Sequence, residues 1–202
     1  TIYRNQRFIK SISKNTKWYN SKDGLIYVND ILYRYRDDNL SDTTIDIKEG
    51  TKSVSTCAFA SCRKIVNVTI PYGIERISEK MFLWCDNLKN VSIPDSVKEI
   101  DEHAFEGCES MTEITLPNSV TSIGSNAFYN CRSLTSINVS NNNKNYSTID
   151  GILFNKDKTE IITYPAKKKE TSYDIPNSVT SIGNGTFAYC SSLTNIIIPN
   201  SV

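Results

Sequence analysis

A period of 23 residues constrains this chain more than any other feature. Pro71, Pro94 and Pro117 recur at that spacing, as do Pro176 and Pro199. Phe59, Phe82, Phe105 and Phe128 keep the same step, and so do Cys62, Cys85, Cys108 and Cys131. After one insertion the pattern resumes at Phe187 and Cys190. A unit this small cannot bury a core alone, so copies must stack in a quasi-one-dimensional array. The architecture follows from the repeat; the ligand does not.

The unit from Ile93 to Ile114 can be read physically. In Leu88-x-x-Val91-x-Ile93, Val91 and Ile93 are apolar at alternate positions, the period of a short strand with one buried face. Pro94 terminates it and removes a donor from further pairing. Val97-x-x-Ile100 then turns apolar side chains inward on the opposite side of the coil. Ser125-Asn126-Ala127-Phe128 reads as a capped single helical turn that drives Phe into the core. About six buried apolar side chains per unit, at roughly 1.5–3 kcal/mol each, do not offset backbone ordering at about 1–2 kcal/mol per residue. Neighbouring coils supply the rest.

A second, longer period is superimposed. Asp23-Gly24-Leu25-Ile26-Tyr27-Val28, Asn29-Asp30 and Ile31-Leu32-Tyr33-Arg34-Tyr35 read as strand, tight turn, strand. Its Tyr-x3-Asp-Gly frame, Tyr19 to Gly24, returns at Tyr146 to Gly151, with Glu160 to Tyr164 as the return strand. The expected divisions are 1–18 as a degenerate partial repeat or cap and 19–44 as a hairpin module. Residues 45–140 then form four repeat units, 141–174 a hairpin insertion, and 175–202 one unit and the start of the next. Ile9-Lys10-Ser11-Ile12 reads as the tail of the degenerate repeat. The connector Arg36 to Thr44 and the run Lys167–Lys169 read as solvated loops. Both termini read as cuts through a longer protein.

Composition narrows the function classes. Lysine plus arginine number 23 against 22 aspartate plus glutamate, a net charge of +1. That balance gives no electrostatic footprint for nucleic acid or an anionic membrane. No apolar run approaches the roughly 18 residues of a membrane helix, so no membrane insertion is expected.

The cysteines are the sharpest candidate chemistry. Five occupy one position of successive units and would stack about 5 Å apart. Parallel Cβ vectors in such a ladder disfavour bridging, and ligands in a line do not converge on a metal. Buried free thiols are the expected state. Cys57 stands outside the ladder and leaves a Cys57–Cys62 bridge open. His103 is the only histidine and reads as a surface residue, which gives no triad. Asp101 with Glu102, and Glu106 with Glu109, read as solvated charge. No catalytic, metal or cofactor residue is assigned.

The outward side of the strands is a better candidate. Asn67, Thr69, Asn90, Ser92, Glu113, Thr115, Ser136, Asn138 and Asn195, with Ile197, flank the buried positions and would line a strip on the sheet face. Those hydroxyls and amides can bind a carbohydrate or peptide, or simply be hydrated. Trp84, Tyr129 and Tyr189 stand beside the Cys position at the turn tips. Their rings can form a contact ridge or pack against the neighbouring tip.

Leu88-x-x-Val91-x-Ile93-Pro94, Val97-x-x-Ile100 and Ala104-Phe105-x-x-Cys108 resemble the BspA-type leucine-rich repeat. Leu134-x-x-Ile137, Val120-x-x-Ile123-Gly124 and Ala127-Phe128-x-x-Cys131 do so too. The resemblance covers 45–140 and 171–202. It departs at Lys48 and Ser140, which replace the repeat Pro, and at Met81, which replaces Ala. It implies a β-rich α/β solenoid of leucine-rich-repeat type. Parallel short strands would form one face, and short strands with helical turns the other, interrupted by β-hairpin modules. It further implies a secreted or cell-surface microbial protein used for adhesion, with no enzymatic activity and no cofactor. The expected partner is a protein or glycan on a host or neighbouring cell, met by a monomer or weak oligomer. The alternative is a non-binding spacer that projects another domain from the cell.

Overall fold

The computed structural model describes residues 18–20, 24–36 and 42–202. The reading of Ile9–Ile12 and most of the connector after Arg36 lie outside these residues. The first strands are β1 (Trp18–Asn20), β2 (Leu25–Val28), β3 (Ile31–Tyr35), β4 (Thr43–Asp46), β5 (Ser53–Val54) and β6 (Ile65–Thr69). There follow β7 (Arg76–Ile77), β8 (Asn90–Ser92), β9 (Glu99–Ile100), β10 (Glu113–Leu116), β11 (Ser122–Ile123) and β12 (Ser136–Val139). The last are β13 (Tyr146–Ile149), β14 (Ile152–Asn155), β15 (Glu160–Thr163), β16 (Ser172–Asp174), β17 (Ser181–Ile182) and β18 (Asn195–Ile197).

Each 23-residue unit makes one coil with a longer and a shorter strand. The longer strands pair in parallel as β4–β6–β8, β10–β12 and β16–β18. The shorter ones pair as β7–β9–β11. Registers join equivalent residues, such as Val68 with Val91 and Ile114 with Ile137. Because the period is conserved, every core side chain meets its own counterpart one coil away. Phe59, Phe82, Phe105 and Phe128 therefore stack, with ring centroids 5.3, 5.4 and 5.6 Å apart and nearly parallel planes. Such offset stacks add about 0.5–1.5 kcal/mol per pair beyond burial.

The segment expected as a helical turn is, in detail, a string of tight turns, and no helix occurs among the described residues. Alternate backbone groups bond locally and to the next coil. Ala104, Glu106 and Cys108 donate to the carbonyl three residues back, whereas His103, Phe105 and Gly107 donate to Ser125, Ala127 and Tyr129. A helix would spend every N–H within the segment and leave the stack without these bonds. The alternation needs left-handed residues at two fixed places. Cys57, Lys80, His103 and Asn126 take φ of 55–57°, and Ser61, Trp84, Gly107, Asn130 and Tyr189 take the second position.

Repeat serines hold the other side of the coil. Ser96 and Ser119 donate to Ile74 O and Val97 O of the preceding coil at 2.8 and 2.6 Å. Along the shorter strands, Arg76 pairs with Glu99 and Asp101, and Lys98 with Glu75. Asp101 contributes most to holding the Arg76 guanidinium above its ordinary pKa, through a hydrogen bond first and its charge second.

The hairpin modules contain one strand more than their sequence suggested. β1–β2–β3 and β13–β14–β15 are antiparallel meanders, and the Asp150-Gly151 pair is itself a turn, with φ of 50° and 77°. Both central residues with positive φ mark the turn type favoured in two-residue hairpins. The return strands β3 and β15 then join the solenoid parallel to β5 and β17. Where Ser140 replaces the repeat Pro, buried Asn143 fixes the exit from the coil. Its amide donates to Pro117 O and Val120 O and accepts from the Asn145 and Tyr146 N–H groups. Lys168 is not a solvated loop residue. Its side chain is 10 % exposed, pairs with Glu170, and donates to Asp150 O at 2.8 Å.

All six cysteines are free, and Cys62, Cys85, Cys108 and Cys131 are buried. The ladder thiols do more than fill space. Cys85, Cys108 and Cys131 donate to Phe59 O, Phe82 O and Phe105 O of the preceding coil at 3.0, 3.4 and 3.2 Å. Burial pushes Cys131 up to about 12 and Cys190 up to about 11, from an ordinary 9.0.

Phe105→Ala removes the middle of the ring stack and should cost about 3–5 kcal/mol in urea unfolding. In the folded protein at mildly alkaline pH, the four buried thiols should not react with a thiol reagent, and all six should titrate in denaturant. A denatured count below six would overturn the free-thiol assignment. The folded thiol pKa lies above the unfolded one, so its contribution to stability is full below pH 9.0 and is lost as pH rises towards about 12. The urea midpoint should fall through that window, and less steeply in Cys131→Ala.

Candidate functional site

The outward residues of the longer strands stand on the three ladders described above. Thr69, Asn90, Ser92, Glu113, Thr115, Asn138 and Asn195 are exposed, whereas Asn67 and Ser136 are half-buried. Register places Asn67 beside Asn90, Thr69 beside Ser92, Glu113 beside Ser136, and Thr115 beside Asn138. Asn90 Nδ2 donates to Asn67 Oδ1 at 2.8 Å, and Asn67 Nδ2 donates to Thr44 Oγ1 at 3.1 Å. Ser136 Oγ donates to Asn138 Oδ1 at 3.1 Å. Beyond β12 the second meander intervenes, because Ile137 N–H donates to Gly151 O at 2.9 Å. Asn195 belongs to the ladder on the far side, where its amide donates to Ser172 Oγ. Ile197 is 54 % exposed at a position held by polar residues in the earlier coils.

The three aromatic tips part company. Trp84 packs flat on Gly107, where an added Cβ would lie 2.4 Å from the indole. This contact leaves the ring 39 % exposed and explains why a left-handed glycine follows it one coil later. Tyr129 and Tyr189 meet edge-on at 5.3 Å across the insertion, and the Arg132 guanidinium lies 4.7 Å above the Tyr189 ring. A hydrogen bond with Tyr189 raises the Tyr129 hydroxyl above its ordinary pKa.

Of the carboxylates expected as solvated charge, Asp101, Glu106 and Glu109 are engaged structurally. His103 Nδ1 lies 2.5 Å from Glu106 Oε2, and Glu109 pairs with Arg132 at 3.5 Å. Among the described residues no group of His, Cys, Asp and Glu is placed to hold a metal. Nor is any helix there long and apolar enough to cross a membrane.

One feature escaped the sequence reading. A cleft of about 270 Å³ opens where the second meander breaks the stack. Its walls are the shorter strand and turn of the preceding coil, Thr121 to Tyr129, and the turn Gly183 to Gly185 of the following one. Between them lie Asn145, Tyr146, Asn155, Glu160, Ile162 and Thr163 of the meander. The signal was the second period itself, since an interruption of a uniform coil is where a concavity can form.

The sequence profile of the BspA type leucine rich repeat region matches in six copies, over residues 33–160 and 163–202. A search of curated proteins returns no match. Among solved structures, the chain is similar to the pneumococcal vaccine antigen PcpA, with 23% identity and a TM-score of 0.70. It is similar also to a leucine-rich repeat protein from Eubacterium ventriosum, with 25% identity and a TM-score of 0.71. These alignments cover 85% and 95% of this chain but only 55% and 59% of the other two. A leucine rich cell surface protein from Faecalibacterium prausnitzii aligns at 20% identity and a TM-score of 0.58, over 93% of this chain and 76% of that one. Together with the 23-residue coil and its Phe and Cys ladders, the profile match settles the assignment: the chain belongs to the BspA-type leucine-rich repeat family.

Proposed function

We propose that this chain is a non-enzymatic interaction module displayed at a cell surface. In this reading its longer-strand face binds a protein or glycan of a host or neighbouring cell. The observation that supports it is the register of small polar side chains on that face. Thr69, Ser92, Thr115 and Asn138 are exposed on neighbouring rungs, backed by the buried Val68, Ile114 and Ile137. A rigid row of equivalent groups suits weak contacts repeated along an extended ligand, where affinity grows with the number engaged. Names of structural relatives that include a cell surface protein and a vaccine antigen agree with surface display.

A second reading, a spacer that projects another domain, draws on one observation. The Asn90, Asn67 and Thr44 side chains bond to one another along the face. Groups satisfied in this way stiffen the coil and offer less to a ligand.

The test is a glycan and host-protein array probed with the wild-type chain and two variants. Thr69→Lys combined with Thr115→Lys should weaken binding at least about tenfold, because two ammonium groups would have to be desolvated against the ligand. Thr180→Lys, placed off this face, should leave binding unchanged. A response equal in both variants would refute the strand-face site, and an array without any response would favour the spacer.

A further inference from the structure

We propose that the cleft beside the second meander binds a neutral saccharide of one or two rings. The site is separate from the strand face and does not depend on the reading given to that face. Its size comes first. At about 270 Å³ it falls just under the roughly 300–1,000 Å³ of pockets for drug-sized ligands. It is also fixed by construction. The meander is inserted between two coils and joins the following one through β15 and β17, and Tyr129 and Tyr189 meet across the gap, so its walls are held together at two places.

The lining then selects the chemistry. Among the described residues no lysine or arginine lines the cleft, which disfavours phosphates and carboxylates as ligands. Asn126, Asn145 and Asn184 present side-chain amides, each able to donate and accept, as sugar hydroxyls also do. Glu160 is the single carboxylate, an acceptor-only group suited to a pair of neighbouring hydroxyls. Tyr129 and Tyr146 add rings that can cover the apolar face of a pyranose. The lining is more polar than apolar, although Ile123, Phe128 and Ile162 belong to it, which disfavours a lipid.

Asn126 takes the left-handed φ of 57° that Cys57, Lys80 and His103 also take in their coils, and it stands at the cleft wall. Opposite it, a Cβ on Gly185 would lie 3.0 Å from both Asn126 Oδ1 and the Tyr129 ring. A side chain there would press on both, so glycine with its left-handed φ favours this close approach of the following coil.

Saturation-transfer NMR on the whole chain, with galactose, mannose, N-acetylglucosamine and their β-linked disaccharides as probes, tests the proposal. At least one neutral sugar should receive transfer and shift the amide signals of Gly183 and Gly185. Asn184→Trp, a substitution at an exposed residue, should fill the cleft and abolish both effects. Glu160→Gln should weaken binding about tenfold with an unchanged urea midpoint, as expected for loss of a charge-assisted hydrogen bond. Asn126→Gly keeps the left-handed backbone while deleting the amide, and should weaken binding without unfolding. The variant Thr69→Lys with Thr115→Lys should leave the sugar response intact, which separates this site from the strand face. Absence of transfer from every neutral sugar, undiminished binding by Asn184→Trp, or a stronger response to a hexuronate or an extended peptide would overturn the proposal.

Discussion

The stacking of each residue on its own counterpart is the interaction from which the rest of this molecule follows. Once the period is held at 23 residues, Phe105 has Phe82 on one side and Phe128 on the other, at almost the same distance. The same translation carries the backbone bonds between coils and the thiol bonds from Cys to the Phe carbonyl. A change at one rung is therefore felt by two neighbours at most. That locality lets polar residues vary on the outside while the core repeats.

The solenoid was legible because its core positions are chemically distinctive. Pro, Phe and Cys mark the coil at three points, and alternation around Val91 marks its strand. The turn segment was harder. Ser125 to Phe128 carries the composition of a helix start, yet the carbonyls of Ser125 and Ala127 accept from His103 and Phe105 of the preceding coil, and a local pattern does not reveal that a partner lies 22 residues away. The meanders were half-read for a related reason. Asp150-Gly151 is a strong turn signal, but the continuous run from Tyr146 to Phe154 looks like one strand unless that turn is given priority. Lys168 was misread because a lysine run is usually solvated, and only the fold places Asp150 O and Glu170 beside it.

The two candidate surfaces differ in how they arise. The strand face is a product of repetition, and its outward residues could be named from spacing alone. The cleft is a product of interruption, and it assembles from residues between 121 and 185 that no motif links. Repetition gives a surface breadth, whereas interruption gives it a concavity with unequal walls.

The meander also divides the interior. Ile152, Leu153 and Phe154 of β14 are all buried, but Leu153 packs with the coils before it, and Ile152 and Phe154 pack with those after it. The strand is thus a bulkhead with a separate core on each side. In a uniform array, fraying that starts at an end can travel from rung to rung, because every interface resembles the last. Here such a front meets a wall whose two faces belong to different compartments. Each compartment keeps its own apolar packing on its own face of β14, so the long period of this chain divides the core as well as the sequence.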